Sequence, residues 1–177
     1  MNREIVVVRG GNSLFAMKAD NGDLFDSKLY MYNGLSCQEE LSFVNTDFTA
    51  GYKGGILAEG TYDYIIGMHK GKYKSAFFCK DLKFWQNWDQ LTLEQITLPS
   101  LISNPNHNGK KIIIAVRLHR SAGDWDNSGK PDNDGSHGCF TVWHKDYWKF
   151  EDCYELNDRG RIRVERSTSW IVPEFYK

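Results

Sequence analysis

His119, sixteen intervening residues, and then Ser136-His137-Gly138-Cys139 form the one segment of the sequence whose residue types and spacing suggest covalent chemistry. A thiol becomes an effective nucleophile when a neighbouring imidazole or positive dipole helps form the thiolate. Two histidines are candidates for that task. His137 and Cys139 are two residues apart, so in an extended segment their side chains point the same way. His119 closes an apolar stretch, and a long loop can bring Cys139 back beside it. Gly138 allows close approach of the backbone to a substrate, and the amides around Cys139 can serve a tetrahedral oxyanion. Nucleophile, base and oxyanion donors are thus all within this segment.

The elements that must position these residues are mostly strands. Residues 111–118, almost entirely apolar, predict a central strand ending at His119. A polar loop over residues 120–135 follows, rich in Gly, Asp, Asn and Ser, and order resumes at residues 139–143. Loops of this length inside a compact domain are more often functional than passive. Upstream, β-prone stretches at residues 4–9, 14–18 and 24–32 alternate with Gly and Asn turns, the pattern of hairpins. Residues 61–68 and 75–79 predict further strands. Within residues 81–102 Thr92 can cap a helical turn through Leu93, Ile96 and Leu98 that Pro99 stops. Asp146 can cap a helix over residues 147–154, with Tyr147, Phe150 and Tyr154 on one face. After a turn at residues 157–160, residues 161–165 predict a last strand. With no repeat and no linker-like segment, residues 1–177 read as a single predominantly β domain with one or two helices.

Other signals compete with this reading. Asp124, Asp126, Ser128, Gly129 and Asp132 resemble the start of a calcium loop, but the twelfth position is Gly135 and a strand precedes it. A solvated lid or rim is the preferred reading, its carboxylates suited to the amine of a diaminopimelate or lysine side chain. A zinc site from His119, His137, Cys139 and His144 would match no standard spacing. A lone cysteine would be read as an inert packing residue, but Ser-His-Gly-Cys after a polar loop is not a core-like string. Phe84, Trp85, Trp88 and Trp125 suit either sugar stacking or the core, with the core preferred for most.

Composition narrows the function classes. A net charge of −1 argues against nucleic acid or an anionic membrane surface as partner. The apolar run in residues 5–8 is too short for a signal-peptide core, and no run approaches the ~18 apolar residues of a membrane span. No membrane insertion is expected. Cys37, Cys79, Cys139 and Cys153 include no Cys-x-x-Cys pair, and no disulfide framework is read from them.

The segment from His119 to Cys139 resembles the L,D-transpeptidase family, whose motif is a histidine, a spacer of fourteen to seventeen residues, and Ser/Thr-His-Gly-Cys. Weaker similarity extends over residues 60–165, where Glu59-Gly60-Thr61-Tyr62 looks like the family's Gly-x-Tyr strand start. The resemblance implies a β-sandwich or barrel domain, with Cys139 as nucleophile, His119 as base, and His137 and Ser136 shaping the site. It implies peptidoglycan stem peptides as substrate, no cofactor, and action in the bacterial cell envelope. The lack of a leader in this chain would then call for a specialised delivery route or a leader already removed. Two positions depart from the family: Thr141 stands where Asn or Arg is common, and Arg120 where a small residue is frequent. With Gly138, these are expected to bear on substrate preference. The alternatives are a Cys-His amidase or endopeptidase on another peptide, and a silent wall-binding module.

Overall fold

A computed structural model describes residues 3–19, 23–47, 54–121, 138–168, 170 and 172. The strands are β1 (Ile5–Arg9), β2 (Met17–Lys18), β3 (Leu24–Phe25), β4 (Ser27–Asn33), β5 (Ser36–Asn45), β6 (Gly60–His69), β7 (Tyr73–Cys79), β8 (Thr97–Pro99), β9 (Ile112–Ile114), β10 (Leu118–Arg120), β11 (Phe140–Val142) and β12 (Arg159–Arg166). Helix α1 is Leu93–Ile96 and α2 is Tyr147–Cys153.

Eight of the strands form one sheet in the order β10-β11-β5-β4-β1-β12-β6-β7. The sheet curls into a nearly closed barrel, because β7 returns to the segment that leads into β10. Phe77 bridges Arg117, the Phe78 N–H donates to the Val116 carbonyl at 3.0 Å, and the Ser75 hydroxyl donates to the Leu118 carbonyl at 2.5 Å. Period-two alternation fills the interior: Leu29 and Met31 of β4 face Ile5 and Val7 of β1, and Ile162 and Val164 continue the layer from β12. Closure leaves fewer bare sheet edges to manage. α2 contributes Tyr147 and Phe150 to the core, joined by Tyr154 just beyond it, on the face expected from their spacing. The fold is therefore mainly β and barrel-like, with two α-helices among the described residues.

Several local expectations are corrected. The apolar stretch 111–118 is broken at Ala115, whose φ of 62° lies in the left-handed region. Its first half, β9, pairs with β8 in a separate two-stranded sheet. Its second half becomes β10, at the end of the eight-strand order and not at its centre. Of residues 14–18, only Met17 and Lys18 form a strand, after a 3₁₀ turn at Ser13–Phe15. α1 is one turn long: Thr92 caps it through the Gln95 N–H, and the chain then passes into β8 before Pro99. Asp146 precedes α2, but its side chain makes no capping bond. No described helix is long and apolar enough to cross a membrane.

Candidate active site

The parallel pairing of β10 with β11 aligns Leu118 with Phe140, His119 with Thr141 and Arg120 with Val142. One step earlier the Phe140 N–H donates to the Arg117 carbonyl, setting Arg117 beside Cys139. Leu118, Phe140 and Val142 are buried in the barrel. Alternation therefore sends Arg117, His119, Cys139 and Thr141 to the opposite, outer face. Cys139 and His119 are diagonal neighbours there, on adjacent strands and two register positions apart. β7 extends the same face, since Phe77 bridges Arg117.

Cys139 enters this face through Gly138, whose φ is 127°. A Cβ at Gly138 would lie 2.6 Å from the Gly55 carbonyl oxygen and 2.4 Å from Ile113 Cδ1, so only glycine fits this approach. The Arg117 N–H points at Cys139 Sγ at 3.4 Å, and the thiol donates to the Ala115 carbonyl at 3.5 Å. The carbonyl that receives the thiol thus belongs to the left-handed residue that breaks the apolar stretch. Burial pushes the thiol pKa up, opposed by the Arg117 N–H and the Arg117 charge. The Phe140 N–H, one of the amides expected to serve an oxyanion, is committed to the Arg117 carbonyl.

His119 packs against His69, at the end of β6, with ring centroids 4.1 Å apart and planes inclined by 51°. Tyr73, opposite His69 in the β6–β7 pairing, covers its ring at 5.1 Å. Burial, then the neighbouring His69 and the cations Arg117 and Lys70, push the His119 pKa down to about 3. Burial, Arg117 and Lys70 push that of His69 down to about 4. Both imidazoles are neutral at neutral pH, and each is a weaker base than a free imidazole. His69 Nδ1 and Thr141 Oγ1 are buried with no hydrogen-bond partner among the described residues. Native structures seldom leave such groups unpaired, and here both sit on residues flanking His119.

The other expected site residues are placed as follows. Thr141 is buried opposite His119, on the face that carries Cys139. Arg120 alternates away from that face; its guanidinium lies over the Tyr73 ring at 4.8 Å, and its N–H reaches the Tyr73 hydroxyl at 3.3 Å. Ser136, His137 and the stretch from Asp124 to Asp132, including Trp125, lie outside the described residues. His144 sits beyond β11 with Nδ1 3.2 Å from Ser121 Oγ, and no group of three potential metal ligands occurs among the described residues. Phe84 and Trp85 are not core residues: they are 92% and 61% exposed. Trp88 instead packs edge-on against Phe77. His69 and Arg117 were not singled out from the sequence. The usable signal was the β6–β7 hairpin, which carries His69 to the same wall as residues 117–119. No family model matches the chain, and neither a curated protein nor a solved structure does.

Proposed function

We propose that the chain is a cysteine acyltransferase of the L,D-transpeptidase type, acting on peptidoglycan stem peptides in the bacterial cell envelope. The observation that supports this best is the β10–β11 register, which puts Cys139 and His119 diagonally on one face, within the motif that resembles that family. In this reading Cys139 Sγ attacks the carbonyl carbon on the L-centre of the third stem residue. As the S–C bond forms, the thiol proton passes to His119. Collapse of the tetrahedral intermediate breaks the C–N bond to the terminal D-residue, and His119 returns the proton to the departing amine.

The thioester left on Cys139 is then resolved by an amine of a second stem, by a free D-amino acid, or by water. Each nucleophile gives its proton to His119, which restores the Cys139 thiol. Because the thiol pKa is raised and that of His119 lowered, the resting pair is neutral and proton transfer accompanies attack. Mass analysis of purified muropeptides after incubation with the protein tests the reading. Cross-linked, exchanged or trimmed stems support it; unchanged muropeptides with an intact fold contradict it.

A further inference from the structure

Ala115 and Arg117, whose backbones meet the Cys139 thiol, also line a cavity of about 290 Å³ in the outer wall. Phe77, Trp88, Leu91 and Ile96 give it apolar walls, and Ala115 and Arg117 form the side towards the cysteine strand. Gly67 makes room for one wall: a Cβ there would meet the Trp88 indole at 2.8 Å and Phe77 at 2.9 Å. The Arg117 guanidinium is held over the Phe77 ring at 4.2 Å. Among the described residues it has no carboxylate partner. Asp89 is exposed at the cavity rim and forms no ion pair with it.

We propose that this cavity, with Arg117, binds the C-terminal D-amino acid of the donor stem through its free carboxylate. The proposal rests on the acyltransferase reading and adds to it the chemistry of the leaving group. The backbone N–H of Arg117 points at the attacking sulfur while its guanidinium reaches over β7, away from β11. Neighbouring strands are about 4.8 Å apart, and one residue spans ~3.8 Å of chain. Arg117 stands on the strand next to Cys139, so the residue that follows a scissile carbonyl held at Cys139 lies on the Arg117 side when the peptide runs from β11 towards β7. A guanidinium with a preset orientation and no carboxylate partner among the described residues suits bidentate carboxylate recognition. The apolar walls suit a compact side chain on that residue. When the C–N bond breaks, the free D-amino acid leaves with its carboxylate still at Arg117.

The test compares two synthetic donor tetrapeptides, one ending in a free carboxylate and one in a carboxamide, on the wild type, Arg117→Lys and Arg117→Gln. The readout is the ratio of kcat/KM for acid over amide within each protein, in which changes in thiol reactivity cancel. The wild type is expected to favour the acid by about ten- to a hundredfold, the range for hydrogen bonds to a charged group. Arg117→Lys should keep part of that preference and Arg117→Gln should bring the ratio near one. A wild type that cleaves both peptides equally, or an Arg117→Gln protein that keeps the full preference, overturns the subsite but leaves the acyltransferase reading standing. A folded wild type that cleaves neither peptide overturns both.

Discussion

His119 lies ring against ring with His69, 4.1 Å between centroids, on the face of the barrel wall that carries Cys139. Each imidazole is shielded from water, and each is close to the positive charges of Arg117 and Lys70. Protonating either ring is therefore unfavourable, so the base remains neutral well below neutral pH. Tyr73, stacked on His69, and the β10–β11 ladder restrict how far the pair can turn.

Acid should destabilise the fold through this pair. The folded pKa of His69 is depressed from 6.5 to about 4, so the unfolded chain takes up the proton first as pH falls. The stability is fully present above about pH 6.5 and is lost progressively towards pH 4. His69→Phe keeps an aromatic ring against His119 and removes one titration. Denaturant melts at pH 7 and pH 4.5 should show a smaller loss for the variant than for the wild type; equal losses would contradict the assignment.

Thiol alkylation against pH separates a neutral pair from a preformed ion pair. Burial raises the Cys139 pKa and His119 carries no charge to offset it, so the half-point for iodoacetamide should lie above the free-cysteine value of about 8.5. His119→Ala should leave that half-point nearly unchanged while slowing acylation by about 10² to 10⁴. A half-point below 7 in the wild type that rises in His119→Ala would mean a thiolate–imidazolium pair instead.

The architecture was legible where periodicity was simple. The strands around Ile5–Arg9, Gly60–His69 and Tyr73–Cys79 follow from β-branched and aromatic content between turn signals, and α2 from the spacing of Tyr147, Phe150 and Tyr154. β5 was not anticipated because polar Gln38, Glu39 and Glu40 interrupt its pattern, although Leu41 and Val44 are core residues. The break at Ala115 was invisible because alanine gives no local sign of a left-handed backbone; tertiary pairing of β9 with β8 imposes it. The return of Cys139 to the strand beside His119 was legible from their spacing. His69 was not, since it meets His119 only through the closure of β7 on β10. Arg9, read as an interruption of an apolar run, is fully buried and ion-paired with Glu59 at 3.2 Å.

Two backbone positions beside the thiol should respond oppositely to substitution. Gly138→Ala places a Cβ against the Gly55 carbonyl in a conformation closed to alanine, and should cost more than about 2 kcal/mol. Ala115→Gly relieves a left-handed alanine and should stabilise the fold by about 1 kcal/mol. Chemical denaturation of both variants checks the signs. A stabilised Gly138→Ala would mean that the approach of Cys139 to the Ala115 carbonyl is not as described.

A covalent bond to Cys139 is the central step of the proposed reaction. Intact-protein mass measurement during turnover of a tetrapeptide stem, or after incubation with a carbapenem as a strained acyl donor, should show a single acyl adduct. Cys139→Ala should show none while keeping the wild-type circular dichroism, whereas Cys37→Ala and Cys153→Ala should still form it. An adduct that persists in Cys139→Ala, or a folded wild type that forms none with either donor, would contradict the assignment of Cys139 as nucleophile.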